Sequence, residues 1–472
     1  MTIHWLDYAI IILYFFVVVY IGYWAMKKVT NFDDYAVAGR GLPMSIFFAT
    51  LCGGGATIGR VSFMHTTGIV VFAGLIGVVI NQIFSGLYIA GRVHNIKNVY
   101  SVGDLFGLYY GRAGRLVSSI VCFFFCLGLY GVQILAMGAI LQTAVGIDLI
   151  PAALISSVIT LAYTWSGGIL AVTLTDAVQY VIIVIGVTLC AYLAIDHLGG
   201  FDAMMSILYS NPRFETNMKP LANWSLVQFL GLFFSFLLGE FCAPYYIQRY
   251  ASTKSAKDSK NGLLIFGVHW IFFMATTAAI GLASMAIQPD VKPDLAFTNL
   301  IRDILPPGIT GLVFGALLAA VMSTGAAMIN TSAVIYTRDI YNKFINTAAT
   351  QAQLLRQSRL STLVVGGISI GVAIIFQDVF GLMIYMFKLW PSAILPPLMC
   401  GLLWGKISPY AGAPAVIAGG LSFFLWSDKV LGEPFGIPAN FIGIGMNCLV
   451  LFFVHQKMKG HKPEGPFLPD LN

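Results

Sequence analysis

Apolar segments of the length that crosses a hydrocarbon layer, about 17 to 25 residues, recur from one end of this chain to the other with only short polar connections. No stretch is left over for a soluble domain, so the 1–472 chain is read as a single transmembrane unit of all-α architecture. Composition agrees. Hydrophobic residues make up 58% and charged residues 10% of the 472, where a soluble chain carries roughly 25% charged residues.

Thirteen spans are predicted, beginning near Trp5, Met44, Ile69, Leu116, Pro151, Ile169, Ser225, Gly262, Gly308, Ser361, Val379, Ala411 and Ala439. The fifth, from Pro151 to about Trp165, is short. It is separated from the sixth because TWSGG, residues 164–168, reads as a turn. The first segment, 5–26, is too long for a signal-peptide core and lacks a small-residue cleavage site, so it is expected to stay as a helix. Lysines and arginines set the orientation. Nineteen fall in one set of alternate loops, among them Lys27, Arg40, Arg92, Arg249 and Lys457; five fall in the other, namely Arg213, Lys219, Lys292, Arg302 and Lys429. That bias predicts an amino terminus outside and a carboxyl terminus in the cytoplasm. The net charge of +6 then reflects topology and not nucleic-acid binding.

Two of the 26 basic residues, Arg60 and Lys388, lie inside predicted spans. Glu240 is equally deep, and Asp176 sits about two turns into the sixth span. A charge at the bilayer centre costs several kcal/mol, so it faces a cavity or a partner and marks a pathway. Two readings stand side by side: a solute site, or a structural ion pair of Glu240 with Arg60 or Lys388. The seven cysteines fall within spans without metal-ligand spacing and read as small core residues. No Gly-x-x-x-x-Gly-Lys-Ser/Thr loop is present, so no nucleotide is expected and energy has to come from an ion gradient.

The second span contains ATLCGGGATIGR, residues 49–60. Three adjacent glycines cost a helix roughly 2 to 3 kcal/mol relative to alanine, and irregular backbone at that depth survives only where it lines a cavity or is buried in protein. The helix is expected to break there. The seventh span, LLGEFCAPYYIQR, is interrupted at a similar depth by Gly239 and Pro244. Two interrupted helices in corresponding halves point to a transporter with an inverted five-helix repeat and its site at the breaks. The repeats would occupy 44–195 and 225–404, after a first helix at 5–26 and before C-terminal helices at 411–455.

DDYAVAGRGLP (33–43), TWSGGILAVTLTDAVQ (164–179), YIQRY (246–250) and AAVMSTGAAMINTSAVIYTRDIY (319–341) resemble the signatures of the sodium:solute symporter family. The likeness covers nearly the whole chain in order, and thirteen spans with an outside amino terminus are typical of bacterial members, in the plasma (inner) membrane. It implies the leucine-transporter-like fold, and import of a small organic solute together with sodium by alternating access, with membrane lipid as the surrounding partner.

The resemblance also implies a sodium site built from the carbonyls of Ala49 and Cys52 at the first break and, on the ninth span, the carbonyl of Ala320 with the hydroxyls of Ser323 and Thr324. Several neutral oxygens suit a hard cation. Asp176 matches an acidic residue associated with sodium release or a second sodium. Where some relatives place further hydroxyls this chain has Ala326 and Ala327, so one sodium per solute is expected. Arg60, Glu240 and Lys388 depart from the usual pattern.

The solute is expected to touch the backbone of Gly53, Gly54, Gly55 and Gly239, with Arg60, Gln133, Glu240 and Lys388 supplying polar contacts; Asn81 or Gln82 are further candidates, equally readable as interhelical hydrogen bonds. The three charges sum to +1, which suits an anionic or zwitterionic solute, with a carboxylate held by the arginine fork. The alternative is a proton-coupled carrier using Glu240 as its relay, since buried carboxylates titrate readily near neutral pH. No catalytic group or enzyme activity is expected.

Overall fold

The computed structural model describes residues 4–53, 57–219, 221, 224–376 and 379–458. Helix α1 (Trp5–Met26) is followed by a short α2 (Phe32–Val37), capped by the Asn31 side chain accepting from the Asp34 amide at 2.9 Å. Next come α3 (Met44–Leu51), α4 (Thr57–Thr67), α5 (Val71–Tyr88) and α6 (Ala90–Asn95). The long α7 (Val102–Val145) and α8 (Leu149–His197) lead to α9 (Phe201–Ser210). The second half opens with α10 (Leu226–Gly239) and α11 (Pro244–Ser252), then α12 (Ala256–Ile287), α13 (Ala296–Ile304) and α14 (Ile309–Ile335). It closes with α15 (Gln351–Phe376), α16 (Val379–Ala393), α17 (Leu395–Met399), α18 (Gly412–Trp426) and α19 (Ala439–Lys457).

Among the described residues there is no strand, and eight helical stretches are long and apolar enough to cross a membrane, or ten if two bent pairs are each taken as one span. Helices occur at all thirteen predicted places, but several boundaries differ. The fourth span was expected from Leu116, whereas α7 starts at Val102, because Ser101 caps it by accepting from the Asp104 amide and Gly111 (φ 69°) bends it where the polar first turns meet the apolar run. The fifth and sixth are joined in α8, and the turn shrinks to one residue, Gly168, at φ 53° and ψ −142°. An unbroken 49-residue helix would extend about 74 Å, more than twice the ~30 Å hydrocarbon layer. A side chain at Gly168 would also strike Tyr35, 2.5 Å from its carbonyl oxygen. The tenth helix begins at Gln351, a full ten residues before the expected Ser361, since its polar first turns are good helix formers.

Both expected breaks are present. Helix α3 stops at Leu51, Cys52 takes φ −80° and ψ 10°, and α4 is described from Thr57. Helix α10 stops at Gly239, Cys242 sits at φ 54°, and Pro244 restarts the helix as the first residue of α11, where its missing N–H costs nothing. The chain entering α3 and the chain leaving α11 are stitched together: Leu42 donates to the Ser252 carbonyl at 3.0 Å and accepts from the Lys254 amide at 2.9 Å. Helix α14 packs against both α7 and α8, and is buried over nearly all its length. It therefore lies where both interrupted helices can reach it.

Candidate solute and sodium site

The two breaks and the middle of α14 enclose a cavity of about 80 Å³. One wall is Thr50, Leu51 and Gly53 at the first break, with Arg60 beyond it; the opposite wall is Glu240, Tyr245, Tyr246 and Arg249 across the second break. Ser323, Thr324, Ala327 and Met328 contribute from α14, Gln133 from α7, and Phe266 and Trp270 from α12. Phe236, Met383 and Phe387 make an apolar flank.

The break in α3 meets the hydroxyls of α14 directly. Ser323 Oγ donates to the Ala320 carbonyl at 3.1 Å and to the Gly53 carbonyl at 3.3 Å, and Thr324 Oγ1 donates to the Ala320 carbonyl at 3.2 Å. Ala49 O accepts from the Cys52 amide at 3.1 Å and keeps a second lone pair. A Cβ at Gly53 would lie 2.3 Å from Ser323 Oγ, so glycine is what allows this approach. Gly53 was expected to serve the solute; its carbonyl is directed to Ser323. Neutral carbonyls and rotatable hydroxyls converging in this way form the donor set a small hard cation requires. Gly54 and Gly55 lie outside the described residues.

Arg60 and Glu240 both line the cavity. The Arg60 guanidinium lies over Trp270 at 4.6 Å and Phe273 at 5.2 Å from the ring centroids, and Nη2 donates to Thr57 Oγ1 at 3.2 Å. Glu240 Oε1 accepts from Tyr245 OH at 2.6 Å. The two charges form no ion pair with each other within 4.0 Å. Gln133 lines the cavity too, and its Oε1 and the Trp270 indole Nε1 are buried with no hydrogen-bond partner among the described residues.

Two expected solute contacts are corrected. Lys388 does not reach the cavity or Glu240; its Nζ pairs with Glu433 Oε1 at 2.7 Å. The reason is helical phase: Met383 and Phe387, four apart, face the cavity, and the next residue is turned about 100° away. Gly239 is a packing residue. A Cβ there would sit 2.7 Å from the Phe387 Cβ and 3.1 Å from its carbonyl oxygen, so glycine lets α10 close on α16. Gln82 donates to Tyr246 OH at 3.2 Å and supports a cavity wall from behind, whereas Asn81 accepts from Ser85.

Arg249 was missed. It was assigned to a cytoplasmic loop, yet it is buried, lines the cavity and pairs with Asp176: Nη2 to Oδ2 is 3.2 Å, and Nε donates to Thr50 Oγ1 at 3.0 Å. Thr50 in turn donates to Asp176 Oδ2, while Asp176 Oδ1 has no partner among the described residues. The pair joins α3, α8 and α11 just beside Ala49. The signal that could have found it is the helix restart at Pro244, since α11 runs through Arg249 to Ser252 and is buried along its length.

Comparison with known proteins follows the same lines. The profile of the sodium:solute symporter family matches residues 35–419. The osmoregulated proline transporter of Bacillus subtilis is 26% identical, with 90% of this chain and 89% of that protein covered. The sodium/proline symporter of Escherichia coli is 26% identical over 88% of this chain and 86% of its own length. Among solved structures, a Na+-coupled sialic acid symporter in a substrate-bound outward-open state superposes with a TM-score of 0.83 at 19% identity, covering 96% of this chain and 98% of its own. The nucleobase-cation-symport-1 family transporter Mhp1 in a closed conformation gives 0.58 at 15% identity, covering 88% of this chain and 92% of its own.

Proposed function

The chain belongs to the sodium:solute symporter family, and from that premise we propose that it imports a small anionic or zwitterionic organic solute, one sodium ion per solute, by alternating access. The coarser terms need no proposal: it is an integral membrane protein, its relatives are transporters rather than enzymes, and sodium is the coupling ion. The finer reading has thirteen spans in a bacterial plasma membrane, a five-plus-five inverted repeat, an outside amino terminus and a cytoplasmic carboxyl terminus. Sodium is held by Ala49, Cys52, Ala320, Ser323 and Thr324, with the Gly53 carbonyl added, and leaves past Asp176.

One observation carries this reading. The backbone at the first break lies against the α14 hydroxyls at the wall of a cavity that also holds Arg60 and Glu240, so ion and solute sites share a wall. Binding either then stabilises the same arrangement of α3 and α14, which is the differential interaction coupling requires. The curated relatives named above carry proline, a zwitterion, which accords with a site containing both charges.

Proteoliposomes with an inward sodium gradient are the test. Concentrative uptake with sodium and none with potassium at fixed pH supports the reading; uptake driven by a proton gradient without sodium replaces it. That second reading rests on Glu240, a carboxylate placed in the break and hydrogen-bonded to Tyr245.

A further inference from the structure

We infer that the groove between α17 and the last turns of α19 is a binding site for one anionic phospholipid of the surrounding bilayer. Its phosphate is held by Lys406, Ser408 and His455, and an acyl chain lies over Leu451 and Phe452. The groove shares no lining residue with the central cavity, so the inference stands apart from how sodium and solute are handled there.

The groove follows from a bend. Pro396 and Pro397 open α17 and have no N–H to give back to the turn before them, and the axis turns by 51° between Gly381–Ala393 and Leu395–Trp404. A wide π-helical turn, Cys400–Trp404, ends at Gly405 (φ 68°), and the chain then runs back against α19, where the Ser408 amide meets His455. The space enclosed is about 860 Å³, inside the ~300–1,000 Å³ range of sites for small organic ligands. Pro396, Met399, Ile407, Leu451 and Phe452 give it an apolar lining. Phe452 and Trp404 are more than half exposed, as are Leu449 and Phe453 beside them, so the groove opens onto the outer surface of α19, which is long and apolar enough to cross the membrane. It lies at the end of that crossing, where acyl chains give way to headgroups.

The polar groups of the groove select the headgroup. Ser408 is over nine-tenths buried, and its Oγ has no partner among the described residues. Buried polar atoms are rarely left so without a ligand or water to meet them. The Ser408 amide donates to His455 Nδ1 at 3.1 Å, which leaves the proton of a neutral imidazole on Nε2, a donor that no described residue takes up. The edge of Trp404 against the ring, 5.3 Å between centroids, holds its orientation. Lys406 is exposed, lines the groove and forms no ion pair among the described residues. No acidic residue lines the groove. A hydroxyl, an imidazole N–H and an ammonium together suit a phosphodiester, which brings acceptors and negative charge. A choline or ethanolamine head adds a cation that nothing in the groove compensates, so the anionic class is the better match, as in other basic pockets between helices at a membrane boundary. The apolar lining distinguishes a lipid from free phosphate, because only a ligand with an acyl chain takes that surface out of water.

The test uses the full-length protein in nanodiscs of phosphatidylcholine with a minor fraction of phosphatidylglycerol, one lipid or the other carrying brominated acyl chains. Bromine quenches only a fluorophore it touches, so the Trp404 signal, taken as the difference between the unmodified protein and Trp404→Phe, reads which lipid occupies the groove. Relative to its share of the bilayer, brominated phosphatidylglycerol should quench Trp404 at least about fivefold more effectively than brominated phosphatidylcholine, and Lys406→Gln should lower that ratio about fivefold, the contribution of one lysine at a charged lipid surface. Ser408→Ala should lower it by a few-fold, as the loss of one hydrogen bond does, whereas Lys429→Gln, beyond the far end of α18, should leave it unchanged. A second measurement needs no variant: mass spectrometry of the unmodified protein released from nanodiscs of the two lipids in equal amounts should find phosphatidylglycerol retained in preference. Equal retention of the two lipids overturns the proposal, as does a quenching ratio below about twofold, less than one lysine contributes. A ratio that neither Lys406→Gln nor Ser408→Ala changes also overturns it. If inorganic phosphate abolishes the preference, the groove is a site for the free anion and the lipid is ruled out.

Discussion

Replacing Arg249 with methionine isolates what the ion pair behind the cavity contributes. Arg249 Nη2 and Asp176 Oδ2 are 3.2 Å apart, with side chains 5% and 0% exposed. Unit charges at that separation attract by about 5 kcal/mol at an effective dielectric constant of about 20. Most of that attraction offsets the desolvation of the two ions, so the pair as a whole contributes little. Removing one partner is different. Asp176 would keep only the Thr50 hydroxyl, with Oδ1 already lacking a partner, and the stranded carboxylate should cost about 3–5 kcal/mol. Arg249→Met combined with Asp176→Asn removes both charges and should recover most of that loss, giving a coupling free energy of about 3 kcal/mol. The assay is a denaturant titration of all four proteins in mixed micelles, arranged as a double-mutant cycle. A coupling below about 0.5 kcal/mol, the range of independent sites, would refute the placement of Arg249 and return it to a solvated loop.

Ser323→Ala removes one sodium oxygen, so the apparent sodium constant should rise at least several-fold with modest change in solute affinity at saturating sodium; unchanged sodium dependence of uptake would remove Ser323 from the site. Gly53→Ala places a methyl 2.3 Å from Ser323 Oγ and 3.2 Å from its Cβ, and should cost about 1–3 kcal/mol as overpacking together with loss of sodium-induced stabilisation in a thermal-shift measurement. Lys388→Met breaks a pair whose side chains are 22% and 23% exposed, so a cost under about 1 kcal/mol and unchanged solute affinity are expected; a large loss of binding would restore Lys388 to the solute site. Sodium-activated uptake should fit a Hill coefficient of one, and a value clearly above one with a two-to-one flux ratio would contradict the role given to Ala326 and Ala327.

What was legible in the sequence was local chemistry. Three adjacent glycines in an apolar run, and a glycine with a proline five residues later, weaken continuous helix locally, so both breaks could be placed to within a few residues. What was not legible was helix phase and depth. Lys388 and Arg60 look alike in a linear count, yet Lys388 follows cavity-facing Phe387 on the helix and is turned away, while Arg60 lies against Trp270 and Phe273 on the cavity side. Counting charges by loop treated Arg249 as cytoplasmic because it lies close to the expected end of the seventh span, whereas α11 runs on to Ser252. Interrupted at 240–243, that crossing extends to Ser252 and carries Arg249 inside.

The two breaks reach the same architecture by different residues, and this explains why only one of them announced its partner. At the first, glycine is needed because the backbone must approach the α14 side chains: the Gly53 carbonyl is 3.3 Å from Ser323 Oγ and no side chain fits between. At the second, the turn is made by Cys242 at positive φ and closed by Pro244, and the side chain of Glu240, not its backbone, is what enters the cavity. One break therefore presents carbonyls, suited to a cation without its own hydrogens. The other presents a carboxylate, suited to a donor on the solute. Under the proposed function, that division gives the ion to α3 and α14, and the solute to the cavity lined by Arg60 and Glu240. It also predicts that substitutions at Glu240 alter which solute binds while leaving the sodium constant of the empty protein unchanged, an outcome that sodium titration of Glu240→Gln without solute will confirm or refute.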